Sequence, residues 1–147
     1  MTIKTNIQDV FGGIAKQLQS SMLDKVDRAL YSSLLGVEKT RIFEEGKDSS
    51  GSQIGKYTPG YVKRRVKKFG QSSDPKVIIA LTNELQNDYK VVPDGKGWGL
   101  GVTNELNYAK VKFVENTYKK DIFLPTEDHQ KMFVDGVQLY VNNQLNG

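Results

Sequence analysis

The order of patterns along the chain predicts an α+β fold with a small antiparallel sheet. Three observations carry it. Apolar residues recur at helical spacing near both ends, a proline–glycine turn in the second half separates two short runs that read as strands, and a basic glycine-rich segment lies between the first helix and that hairpin. The order is helix, basic loop and helix, hairpin, helix, for which sandwich and doubly wound parallel folds are poor fits.

From Asn6 to about Leu35, Ile7, Val10, Phe11, Ile14, Leu18, Met22, Val26, Leu30 and Leu34 recur with steps of three and four, apart from the adjacent Val10 and Phe11. That spacing traces one face of a long amphipathic helix. Gly12 and Gly13 weaken its first turns by about 1 kcal/mol each relative to alanine. Gly36 is expected to break or kink the helix, and residues 37–45 to carry it on, with Ile42 and Phe43 as anchors ahead of Gly46.

Residues 46–56 are rich in glycine and serine around a single apolar residue, Ile54, which is loop composition. Thr58-Pro59 then reads as a helix start. The threonine hydroxyl can cap free N–H groups, and proline lacks the N–H that would go unpaired there. The helix should stop at Gly70, with Val62, Val66 and Phe69 on one face and Lys63, Arg64, Lys67 and Lys68 outward.

Residues 76–92 are ambiguous: Val77-Ile78-Ile79 favours a strand, whereas Leu81 and Leu85 suit a helical turn. A short helix near 78–87 feeding a strand from Asp88 to Val92 satisfies both. Pro93-Asp94-Gly95-Lys96-Gly97 is a turn, and Trp98, Leu100 and Val102 alternate with glycine or threonine as a second strand, completing a hairpin. Residues 104–118, with Leu106, Ala109, Val111 and Phe113, could be one helix or a helix and then a strand. The last helix is clearer. Thr126 caps it, Glu127 and Asp128 suit its positive end, and Met132, Phe133, Val137, Tyr140 and Val141 form its stripe.

The chain of 147 residues is expected to form one domain, 1–147, with residues 46–58 as a flexible loop insertion. It has 21 basic and 17 acidic residues, no cysteine and one histidine. Cysteine chemistry and cysteine-ligated zinc are therefore excluded. The sequence has no run of about 18 apolar residues, so a soluble protein without a membrane partner is expected.

The motifs that could carry chemistry are weak. Gly51-Ser-Gln-Ile-Gly55-Lys56 resembles a phosphate loop, but three residues separate its glycines where four are needed, and Tyr57 stands where Ser or Thr would hold magnesium. Glu127, Asp128 and His129 point in three directions on a helix, which reads as a solvated first turn and not as a metal site. Glu84 and Asp88 could pair across a helical turn, but their neighbours Gln86, Asn87 and Tyr89 predict a wet setting unsuited to splitting two pKa values. Serine and threonine nucleophiles lack their usual activators. No catalytic, cofactor-binding or metal-binding residue is assigned, and no enzyme activity is expected.

Between Asp48 and Asp74 there are six basic side chains and no acidic one. Three readings fit them: a solvated helix face, a phosphate contact assisted by Tyr57 and Tyr61, or a segment that docks on a protein and becomes ordered on assembly. The candidate contact residues for a partner or DNA are Ile54, Lys56, Tyr57, Tyr61, Lys63, Arg64, Lys67 and Lys68.

Arg41-Ile42-Phe43, Gly46-Lys47-Asp48, Gly51, Ile54-Gly55, Tyr57, Tyr61 and Arg65, followed by Leu81-Thr82-Asn83-Glu84-Leu85, resemble the tail-completion or virion-morphogenesis proteins of tailed bacteriophages. Ile122-Phe123-Leu124-Pro125-Thr126-Glu127 is similar to that family's entry into its last helix. The resemblance spans residues 6 to about 145, and its specificity lies in the order and spacing of short motifs. Asn83 stands where the family has glycine after threonine, a residue that tolerates a left-handed backbone, and Pro125 precedes the capping threonine.

The resemblance implies a structural virion protein, made in the host cytoplasm and placed in the neck or tail. There it would complete the head-proximal end of the tail, or join tail to capsid, as a homo-oligomeric ring around the DNA channel. Other neck and tail proteins would be its partners, with a hexamer favoured and non-specific contact with packaged DNA possible. A tail terminator ring and a basic nucleic-acid-binding module are the alternatives. In a ring, the cationic segment would repeat as a belt facing either the DNA or an acidic neighbouring ring.

Overall fold

A computed structural model describes residues 20–80, 82–95 and 97–146. The helical stripe expected from Ile7 to Leu18, Leu81 of the Leu-Thr-Asn-Glu-Leu motif and Lys96 of the turn lie outside the described residues.

Helix α1 (Ser20–Lys39) buries Asp27, Tyr31, Leu34 and Glu38, whose spacing puts them on one face. The expected face ran through Leu30 and Leu34. It is rotated instead toward two carboxylates and a tyrosine, with Leu30 half-buried at its edge. Gly36 does not break the helix. An interior glycine costs only about 1 kcal/mol, which burial of Leu34 and Glu38 on either side outweighs. After Lys39 the chain widens into a π-helical turn, Thr40–Glu44, closed by the Glu45 N–H donating to the Thr40 carbonyl at 2.9 Å. Arg41, Ile42 and Phe43 all turn inward there.

Residues 46–58 contain no helix, as expected, but they are anchored within the chain. Asp48 is buried and its Oδ1 accepts from the Ser50 N–H at 2.9 Å, the Ser50 hydroxyl at 2.7 Å and the Ser52 N–H at 3.0 Å. The Ile54 N–H donates to the Gly46 carbonyl at 2.9 Å, and the Ile54 side chain is a core residue. Ser49 reaches the segment after residue 120, its N–H bonding the Asp121 carbonyl at 2.8 Å. The expectation that Ile54 waits for a partner is therefore corrected. One apolar residue suffices because a buried carboxylate folds the glycine–serine stretch around itself, satisfying the backbone donors that would otherwise need water.

Helix α2 (Pro59–Phe69) begins and ends as its sequence predicts. Thr58 Oγ1 accepts from the Tyr61 N–H at 3.4 Å, and Gly70 closes the helix in a left-handed conformation. Its buried face is not the expected one. Val62 and Phe69 are half-buried, Val66 is exposed, and Arg65 is buried in their place. Residues 77–80 follow without helix or strand, although Val77 and Ala80 are buried.

The expected helix over 78–87 is shorter and later, α3 (Glu84–Asp88), entered through Asn83 at φ +64°. Asparagine thus takes the left-handed position anticipated for it. Strand β1 (Lys90–Asp94) pairs antiparallel with β2 (Gly97–Gly101), with Val92 opposite Gly99 and Pro93 opposite Trp98. The hairpin is the whole sheet among the described residues.

Residues 104–118 resolve into one helix, α4 (Glu105–Tyr118), whose cap Asn104 accepts from the Leu106 N–H at 2.8 Å. Asp88 also braces this end, accepting from the Thr103 hydroxyl at 2.6 Å, the Asn104 N–H at 2.9 Å and Asn107 Nδ2 at 3.0 Å. Burial disfavours the Asp88 charge, but hydrogen bonds from Thr103, Asn107 and Asn104 together outweigh it and hold the carboxyl well below the usual range. Helix α5 (Glu127–Asn146) is capped by Thr126, which accepts from the His129 N–H at 3.1 Å. Phe133, Val137 and Val141 face inward, whereas Met132, expected in the same stripe, is exposed.

The core lies where α1, the π-helical turn and the hairpin meet the segment before α5. Phe43, Tyr89 and Phe123 form a ring triangle with centroids 5.8 to 6.3 Å apart, and Tyr31 packs on Phe133 at 4.6 Å. Among the described residues no helix is long and apolar enough to cross a membrane.

Candidate functional site

Among the described residues a buried ion cluster and an aromatic groove stand out, and the candidate contact residues divide between the groove, the core and the open surface. The first is buried. Glu38 is fully buried, and Arg41 Nε donates to its Oε2 at 2.7 Å. Arg41 also donates to the carbonyls of Lys47 and Ile122, both at 2.8 Å, and of Leu124 at 3.2 Å. The other Glu38 oxygen meets His129 Nδ1. The guanidinium thus ties α1 to the 46–58 segment and to the entry of α5, with its donors used on atoms of its own chain. His129, read from sequence as part of a solvated turn, is a half-buried member of this cluster. Glu127 and Asp128 are exposed, and among the described residues no three His, Asp or Glu side chains gather closely enough to hold a metal.

The second place is a groove of about 870 Å³ between the start of α2, the 77–85 segment and α4. One wall carries Tyr57 and Tyr61, with ring centroids 5.1 Å apart, and the other carries Phe113 and Tyr118. Arg65 lies beneath the tyrosines, its guanidinium carbon 4.5 Å from the Tyr57 ring centroid and 5.8 Å from that of Tyr61. It donates to the Ala80 carbonyl at 2.6 Å. Burial pushes the Tyr57 hydroxyl up, against the opposing effect of the Arg65 charge. Ile79, also lining the groove, has φ +55°. For a β-branched residue that conformation is strained, at a cost of order 1–3 kcal/mol, and the Ile79 N–H is held by the Tyr57 hydroxyl at 3.3 Å.

Of the candidate contact residues, Lys56, Tyr57 and Tyr61 line this groove, and Ile54 is in the core. Lys63, Arg64, Lys67 and Lys68 are exposed on α2 and are not among the residues that line it. Glu84 and Asp88 do not form a pair. Glu84 reaches Lys110 at 3.4 Å, while Asp88 is spent on the start of α4.

Sequence reasoning missed Arg65, Glu38 and the exposed Phe113. The cue for Arg65 was its place among Tyr57, Tyr61 and a helix register that leaves it opposite Lys63 and Lys67. Glu38 and Arg41 stand at helical spacing, a cue for an ion pair though not for its burial.

No protein-family model, curated protein or solved structure matches the chain.

Proposed function

We propose that the chain is a non-enzymatic structural subunit of a tailed-phage neck. It would complete the head-proximal end of the tail or join tail to capsid, as a ring around the DNA channel. The observation that carries this reading is the division of labour on α2. Arg65 alone is buried and holds the helix to the body of the protein, while Lys63, Arg64, Lys67 and Lys68 are exposed. The tyrosine–arginine spacing that carries the family resemblance builds the support, and the cations it presents are free to face an anionic neighbour or DNA. Repeated about a ring axis, each cation is multiplied by the number of subunits.

Replacing Arg64 and Lys68 together with glutamate tests the reading. Exposed helix charges change stability by under about 0.5 kcal/mol, so the melting temperature should hold. Complementation of a phage lacking the gene should then fail, leaving separate heads and tails. Full infectivity would make the face merely solvated. Submicromolar binding of free duplex DNA, falling steeply with salt, would favour the nucleic-acid-binding reading instead.

A further inference from the structure

Three pairs of like charges lie on and beside α2. Lys56 and Lys76 stand directly opposite in an isolated antiparallel bridge, flanked by the Tyr57 N–H donating to the Pro75 carbonyl at 2.6 Å and the Val77 N–H donating to the Gly55 carbonyl at 3.0 Å. Those bonds make Lys56 and Lys76 a non-hydrogen-bonded pair, the position where facing side chains come closest, and like charges there work against the fold. Lys56 is three residues ahead of Pro59, so the bridge lies within about 10 Å of the first turn of α2. On α2 itself, Lys63 with Lys67 and Arg64 with Lys68 are each one turn apart, a second setting in which like charges repel. Lys76 is half-buried and the other five cations are exposed.

These charges are left uncompensated. Lys47, Lys90, Lys110, Lys120 and Lys131, elsewhere in the fold, each reach a carboxylate at 3.1 to 3.5 Å. Among the described residues none of the six cations on and beside α2 forms such a pair. Lys68 leans on the Phe69 ring, 5.6 Å from its centroid, and Asp74 turns its Oδ1 to the Lys76 backbone N–H at 2.9 Å. Local rules are broken in this way at functional sites, where a partner supplies what the fold withholds.

We propose that this surface binds the phosphate backbone of duplex nucleic acid without regard to sequence. Five of the six cations, Lys56, Lys63, Lys67, Lys68 and Lys76, are lysines, whose compact charge on a flexible stem suits phosphates at varying positions, and only Arg64 is an arginine. An acidic protein neighbour fits less well, because protein interfaces favour arginine and are depleted of lysine. An anionic membrane also fits less well, because Val66 is the one large apolar side chain that α2 exposes. The inference rests on the reading above only in treating the α2 face as a contact surface. It adds Lys56 and Lys76 to that face and assigns the face to nucleic acid.

The test is fluorescence anisotropy of the full chain with two labelled DNA duplexes of about 20 base pairs and unrelated sequence, over a series of salt concentrations. Both should bind alike, with a dissociation constant of about 1 to 100 μM at physiological salt and a log–log salt slope of about −4 to −5, as roughly four to six phosphate contacts require. Lys56→Gln with Lys76→Gln should weaken both duplexes equally, reduce the slope by about 2 and melt no earlier than the unmodified chain, since it relieves a repulsion. Lys25→Gln with Lys131→Gln, the same loss of charge on α1 and α5, should leave the slope as it was. If the bridge variant melts early, Lys63→Gln with Lys67→Gln replaces it with the same expected change. Equal effects of the face and control variants, a preference between the duplexes beyond about tenfold, or no binding at about 100 μM chain in about 50 mM salt would overturn the inference. The neck reading is tested separately by complementation. Absent binding together with failed complementation by the Arg64→Glu, Lys68→Glu chain would give the face to an acidic protein neighbour, whereas binding as expected beside full infectivity would keep the inference and overturn the neck reading.

Discussion

Replacing Arg41 with alanine should destabilise the protein by about 3–5 kcal/mol, the range for removing one partner of a buried ion pair. The cost has two sources. Glu38, with no exposed surface, would lose its guanidinium partner and keep only His129 beside it, and the carbonyls of Lys47, Ile122 and Leu124 would each lose a donor. Urea denaturation measures the loss directly. Replacing Glu38 and Arg41 together with methionine and leucine should cost less than Arg41→Ala alone, because no buried charge is then left unmatched. A loss below about 1 kcal/mol for Arg41→Ala would mean that the cluster is open to water in solution.

Gly46→Ala should be nearly as damaging, for a backbone reason. A Cβ at Gly46 would lie 2.2 Å from the Val77 carbonyl oxygen, and the residue sits at φ +67°. Neither atom can swing away as a side chain could, so the 46–58 segment must shift off residue 77. A loss above about 2 kcal/mol is expected, with backbone strain and broken packing adding. The Ile54 amide, bonded to the Gly46 carbonyl, should lose its protection from hydrogen exchange in the same variant. Gly36→Ala is the control. Its Cβ meets nothing within 4 Å, and alanine in a helix interior should stabilise by up to about 1 kcal/mol. Equal effects at both positions would contradict the tight approach at residue 77.

What could be read from the sequence was local. Thr58-Pro59, Gly70 and Thr126 mark helix ends because capping bonds span only a few residues, and the turn expected over Pro93–Gly97 marks the hairpin, although the strands run into it, with Pro93 opposite Trp98 and Asp94 opposite Gly97. Asn83 took the left-handed position for the same reason. What could not be read depends on partners far along the chain. Arg65, in a run of cations, looks solvated until the Ala80 carbonyl and the tyrosine rings are placed over it. Glu38 is buried only because Arg41 and His129, 91 residues away, converge on it. The loop looked slack because nothing in its composition announces that Asp48 is buried and accepts the donors of Ser50 and Ser52. The candidate surface was legible in part. Cation spacing on α2 could be counted, but the groove is built by α4, whose outward Leu106 and Phe113 read as core residues in a mixed pattern.

The measurement that bears most directly on the neck assignment is electron microscopy of tailed particles carrying a tagged subunit, with its copies located and counted. A neck subunit should appear as a closed ring of copies at the head-proximal end of the tail, absent from particles made without the gene, whose heads and tails stay apart. Intact, infectious particles assembled in the subunit's absence, or copies scattered away from the neck, would contradict it.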